Sequence, residues 1–218
     1  MPTVDASPGK FTFDLDTTAL LVIDMQRDFL LPGGFGESLG NDVSQLRRTI
    51  EPLAALLTTW RAAGLPVIHT REGHKPDLSD CPPAKLTRAP KIGQPGPFGR
   101  ILVQGEYGHD IIDELQPVGD EVVIDKPGKG AFYATDLSEI LEKMGAKRLI
   151  VTGVTTEVCV HTTVREANDR GYECLVLSDC VGSYFPEFQR VGLQMIAAQG
   201  GIFGWVTESP ALLKEIAR

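Results

Sequence analysis

The sequence predicts an α/β fold, a three-layer, doubly wound, mostly parallel sheet of about six strands with helices on both faces, in the Rossmann-like manner. Three observations carry this. Short continuous apolar runs recur along the chain, as expected of strands buried on both faces. Helix-compatible segments separate them, as right-handed crossovers require. Polar residues close several of the runs, and open parallel sheets bind ligands beyond their strands' carboxyl ends.

The first run is Ala19 to Met25, which contains Asp24. A loop rich in Pro and Gly follows from Pro32 to Gly40. Val43, Leu46, Ile50, Leu53, Leu57 and Trp60 recur at helical spacing, with Asn41 or Asp42 placed to cap the start and Gly64 to close the end. Pro52 is expected to kink that helix near its middle. The further strand candidates are Pro66 to Thr70, Glu121 to Asp125, Arg148 to Val154, Glu173 to Ser178 and Gly201 to Val206. A helix is expected from Thr156 or Glu157 to Arg170. From about Glu72 to Gln116 the chain is rich in Pro and Gly with weak periodicity, which reads as a long excursion that shapes a pocket or an interface.

The chain has 218 residues, 42% of them hydrophobic, and no compositional break, so one domain spanning residues 1–218 is expected. A net charge of -8 removes the electrostatic footprint of a nucleic-acid binder and disfavours an anionic membrane. No apolar run approaches the roughly 18 residues of a membrane span, and Met1 to Asp16 lacks an apolar signal core, so a soluble cytoplasmic location is expected. Cys81, Cys159, Cys174 and Cys180 are too few and too unevenly spaced for a disulfide scaffold and read as thiols.

Asp24, Lys126 and Cys159 fall at or just past three strand ends, so a parallel sheet would bring them together. A carboxylate can take a thiol proton, an ammonium favours the thiolate, and the thiolate attacks. Cys159 also sits in the first turn of the expected helix, where free N–H groups and the helix dipole lower a thiol pKa and can hold an oxyanion. Taken singly, each residue has a plainer reading: a small core thiol, a turn cap, a surface charge.

Asp24 in DMQRDF, Lys126 in DKPGKGAF and Cys159 in GVTTEVCV together resemble the isochorismatase-like cysteine hydrolases, from about Thr17 to Val206. The resemblance implies that fold, an Asp24, Lys126 and Cys159 triad, and a cis bond between Val154 and Thr155. It also implies an oxyanion hole from the Thr155 and Cys159 amides, no cofactor, and a homo-oligomer, commonly a tetramer. The excursion from Glu72 to Gln116 is a candidate for subunit contacts.

Within that superfamily HTREGHKPDL, PGPFGRIL and TVREANDRGYECL are similar to biuret hydrolases. That likeness implies a small ureido or amide substrate, biuret or a close analogue such as triuret, cleaved at a C–N bond through a thioester. It also implies that Gln199 meets a substrate carbonyl or amide and that Phe29 packs on the ligand. Each has a plainer alternative, a helix-end polar residue and a core aromatic. SYFPEFQR and FGWV depart towards ureidoacrylate-type amidohydrolases. Tyr133 and Tyr184 are the candidates for specificity.

His69 and His74 flank Glu72 but match no strong metal motif, so no metal is expected. Gly33, Gly34 and Gly36 fit neither GxGxxG nor a Walker sequence. His161, two residues past Cys159, would point away from it on a helix. The rival class is a non-catalytic flavin or nucleotide-binding module, since the same fold hosts both.

Overall fold

A computed structural model describes residues 1–216. Six parallel strands form the central sheet: β1 (Thr18–Ile23), β2 (Val67–Glu72), β3 (Val122–Lys126), β4 (Arg148–Val154), β5 (Glu173–Gly182) and β6 (Trp205–Thr207). Their order is β6-β5-β4-β1-β2-β3. Leu20 is in register with Val67 on one side and Ile150 on the other. The chain starts at the centre, winds outward to β3, then returns to β4 on the opposite side of β1. That reversal opens a crevice beyond the carboxyl ends of β1 and β4, where such sheets bind ligands.

Alternation along β1 divides the core. Leu20 and Val22 join Trp60, Leu53 and Leu57 of α1 (Ile50–Ala62), while Leu21 and Ile23 face the opposite layer. That second layer contains Leu137 and Leu141 of α2 (Leu137–Lys143), Val164 of α3 (His161–Asp169) and Ile196 of α4 (Pro186–Gly201). Leu212 of α5 (Ser209–Ile216) lies on the α1 side. Among the described residues no helix is long and apolar enough to cross a membrane.

Several boundaries differ from expectation. β2 runs on to Glu72, because the charges of Arg71 and Glu72 that end the apolar run are paired inside the fold. Pro52 does not kink a long helix. A short turn, Ser44–Arg47, precedes α1, and Pro52 sits in the first turn of α1, where a missing N–H is tolerated. Gly201 ends α4 instead of opening a strand, and β6 begins at Trp205. The excursion carries a helix, Pro83–Arg88, a small hairpin of Pro95–Gly96 and Gly99–Arg100, and a 3-10 turn, Asp113–Leu115.

Candidate active site

Asp24 follows β1 and is the residue at which the chain leaves the sheet, in the left-handed region at φ 52°. Its N–H donates to the Thr70 carbonyl at 3.0 Å, and the Thr70 hydroxyl donates to Oδ1 at 2.7 Å. The other oxygen, Oδ2, lies 2.8 Å from Lys126 Nζ, with both side chains fully buried. Lys126 also donates to the Gly128 and Lys129 carbonyls at 3.0 and 2.9 Å. Burial alone would lower its pKa, but Asp24, Cys159 and Glu72 outweigh that and raise it. Lys126 is therefore a permanent cation.

Cys159 comes from the far side of the crevice, in a π-helical turn, Thr156–Val160, that leads into α3. Gly153 lets β4 approach that closely: it has φ +104°, and a Cβ there would stand 2.0 Å from the Ile23 carbonyl oxygen. The bond between Val154 and Thr155 is cis. Cys159 is 4% exposed, and Sγ lies 3.5 Å from Glu72 Oε2.

Glu72 is the residue that sequence reasoning weighed only as a metal ligand beside His69 and His74. The structure separates the three. His69 Nε2 pairs with Glu121 at 2.9 Å and His74 Nδ1 lies 3.3 Å from Asp80. Glu72 instead ends β2, the strand between those of Asp24 and Lys126. Its Oε1 receives Lys85 at 2.8 Å and Lys129 at 2.7 Å. Its backbone is clamped by the Gln26 side chain, which accepts from the Glu72 N–H at 2.7 Å and donates to its carbonyl at 2.9 Å. Burial would raise the Glu72 carboxyl, but Lys126, Lys129 and Lys85 hold it at about 2. The length of β2 was the missed signal: two more residues place a carboxylate at the strand end.

One expectation is reversed. Lys126 and a helix start were expected to lower the thiol pKa of Cys159. Burial pushes it well above the ordinary range instead, and Asp24 and Glu72 add to the rise against the pull of Lys126 and Lys129. At rest Cys159 is therefore a neutral thiol. Asp24, Glu72 and Cys159 offer ligand atoms within 4.8 Å of one another. Three ammonium groups, on Lys85, Lys126 and Lys129, already neutralise the two carboxylates, so a divalent cation there would meet net positive charge.

A cavity of about 210 Å³ is lined by Cys159 together with Phe29, Glu72, Lys129, Thr155 and Tyr184, and further by Phe35, Leu39, Asn41 and Phe185. The Tyr184 hydroxyl donates to the Phe29 carbonyl at 2.8 Å, and Gly36 makes room for it, since a Cβ there would stand 2.1 Å from that hydroxyl oxygen. Phe29, Thr155 and Tyr184 are thus brought to the site. Tyr133 is not: it is exposed and packs over Gly128, beside the loop that holds Lys126. Nor is Gln199, which is exposed at φ 53° where α4 breaks at its C-terminal end. His161 faces away, accepting from Arg165 Nε at 2.9 Å.

A family model described as the Isochorismatase domain matches residues 18–210. The chain belongs to the isochorismatase family. Among solved structures, this isochorismatase-family chain is similar to a cysteine hydrolase from Pseudomonas syringae pv. phaseolicola 1448A, at 28% identity, TM-score 0.84, covering 100% of this chain and 98% of that one. It is similar to an isochorismatase family protein from Desulfovibrio vulgaris subsp. vulgaris str. Hildenborough, at 28% identity, TM-score 0.77, covering 93% and 99%. An N-carbamoylsarcosine amidase from Thermoplasma acidophilum, at 23% identity, TM-score 0.69, covering 88% and 96%, shares the fold.

Proposed function

We propose that the protein is a cysteine amidohydrolase that cleaves a C–N bond of a small, neutral ureido compound, biuret or a close analogue such as triuret, with release of ammonia. The observation that carries this reading is a buried thiol close to two carboxylates, each ion-paired to lysine, in the lining of a small cavity. Isochorismatase-family membership and the likeness to a cysteine hydrolase support it.

Asp24 is the base that takes the thiol proton as Sγ attacks the carbonyl, since a carboxylate held at about 2, as Glu72 is, accepts protons poorly. The amides of Thr155 and Cys159 face the developing oxyanion, each such donor contributing about 3 kcal/mol. Asp24 returns the proton to the departing amine, leaving a thioester, and then activates the water that hydrolyses it. Lys126 holds Asp24 in place through the 2.8 Å contact with Oδ2. Glu72 accepts from the thiol at rest and is placed to accept a substrate N–H as Sγ moves onto the carbonyl. Phe29 and Tyr184 flank the planar ureido group.

Two alternatives fit the cavity less well. A ureidoacrylate-type substrate carries a carboxylate that needs a free cation, but among the described lining residues the one cation is Lys129, already paired with Glu72. A flavin or nucleotide carrier needs more room than about 210 Å³. Ammonia release measured across biuret, triuret and ureidoacrylate tests the reading. Turnover of biuret or triuret well above ureidoacrylate is expected, and preference for ureidoacrylate would overturn it.

A further inference from the structure

β5 breaks register with β4 where the two strands reach the site. Val151 is matched with Val176, but Gly153 is matched with Val181 and Val154 with Gly182. The extra residues of β5 form a bulge that includes Ser178 and Asp179. Backbone carbonyls at such a break lose their ladder partners and have to find others. Gln189 of α4 supplies them: its Nε2 donates to the Val181 carbonyl at 2.9 Å and to the Ser178 carbonyl at 3.2 Å. The Asp179 carboxylate turns the other way and accepts from the N–H and hydroxyl of Ser209, at 2.8 and 2.6 Å.

Those two carbonyls fix the orientation of the Gln189 amide, because neither can donate. Oε1 is left free to accept, and the Thr156 hydroxyl donates to it. Thr156 is fully buried and is the first residue of the π-helical turn that carries Cys159. α4 presses on the same residue, since a Cβ at Gly192 would stand 3.2 Å from Thr156 Cγ2. A π turn is rare and poorly self-supporting, so neighbouring groups have to hold it. Its own bonds converge on the Thr155 carbonyl, which accepts from the Val158 and Val160 N–H groups at 3.1 and 3.2 Å. At the far end the Thr163 hydroxyl donates to the Cys159 carbonyl at 2.7 Å and accepts from the Ala131 N–H at 3.0 Å. Gln189 and Thr163 thus pin the turn at its two ends.

We infer that Gln189 is a positioning residue for the reaction: through the Thr156 hydroxyl it fixes the turn whose Thr155 and Cys159 amides face the oxyanion. Neither Gln189 nor Thr156 lines the catalytic cavity, so the pair acts only through the turn. Satisfying the β5 bulge needs Nε2 alone, whereas the bond at Oε1 reaches the residue next to the Thr155 amide. Oxyanion donors work only when held close to their place, and a misplacement of about 1 Å can cost about 10²-fold in rate. Because the oxyanion exists only in the transition state and intermediate, the loss falls on kcat and leaves KM nearly unchanged. Only this effect on turnover rests on the proposed amide hydrolysis, and the clamp itself does not.

Thr156→Val removes the hydroxyl and keeps the shape against which α4 packs. Assayed by ammonia release from biuret and triuret, it should lose about 10- to 100-fold in kcat with KM within about twofold and circular dichroism unchanged. Thr156→Ser, which restores the donor, should recover most of that loss. Gln189→Met should lose at least as much, and adding Thr156→Val to it should cost little more, because both changes break the same bond. An unchanged kcat in Thr156→Val, an equal loss in Thr156→Ser, or additive losses in the double variant would each overturn the positioning role. Hydrogen exchange of the backbone amides over residues 154–160, followed by mass spectrometry, reads the clamp without turnover and without Gln189→Met having to fold. Exchange there should quicken in Thr156→Val and stay at the parent rate in Thr156→Ser. Parent-like exchange in Thr156→Val would overturn the clamp. Absence of ammonia release from the parent protein would count against the proposed function alone, because exchange still decides whether Gln189 holds the turn.

Discussion

Lys126 Nζ lies 2.8 Å from Asp24 Oδ2 although their strands are not neighbours. β2 runs between β1 and β3, so the ion pair spans its end, and Glu72, the last residue of β2, is enclosed between the pair and Lys129. The pair is buried, and a buried ion pair that loses one partner leaves an uncompensated charge.

Lys126→Met should therefore lower stability by about 3–5 kcal/mol, and adding Asp24→Asn should recover part of the loss. Urea unfolding of the two variants measures both values. A Lys126→Met protein as stable as the parent would show that the Lys126–Asp24 pair does not support the fold.

Asp24→Asn on its own keeps the shape of the site and removes the base. A loss of kcat of about 10²- to 10⁴-fold is expected, with the fold retained by circular dichroism.

Alkylation of Cys159 by iodoacetamide should be slow at pH 7 in the free protein and climb as pH rises past the ordinary thiol range, because burial keeps the thiol protonated. Rates followed by mass spectrometry from pH 6 to 10 give the profile. Fast labelling that is flat below pH 8 would mean a preformed thiolate.

Glu72→Gln keeps one acceptor but removes the charge that Lys85 and Lys129 share. A drop in kcat/KM of roughly tenfold to a hundredfold is expected, the scale of a charge-assisted hydrogen bond. Thermal melts measure a second consequence. The pKa values of Glu72 and Glu121 are both held at about 2, below their unfolded values near 4.5, so their stabilisation is complete above pH 4.5 and is lost as pH falls towards 2. The melting midpoint should fall steeply across that window, and in Glu72→Gln the fall should be shallower.

Most of this architecture is written in hydrophobic pattern. The β1 and β4 runs are apolar throughout because both faces are buried, so sequence locates them and hence Asp24 and Cys159. Pattern fails where charge is neutralised by distant chain. Arg71 and Glu72 look like a loop until Asp125, Lys85 and Lys129 are seen to pair with them, and Lys85 comes from a helix inside the irregular excursion. The thiol pKa departs from the local sequence pattern for a related reason. Local sequence shows a lysine and a helix start, but burial and the second carboxylate arise only in three dimensions. Tyr133 sits among glycines and lysines that do form the site, yet its ring turns outward.

The most direct test is Cys159→Ser, assayed for ammonia release from biuret and triuret and for folding by circular dichroism. The parent protein should release ammonia and the variant should fold normally while losing on the order of 10³-fold or more of that activity. Undiminished turnover in Cys159→Ser would contradict the assignment of Cys159 as the nucleophile.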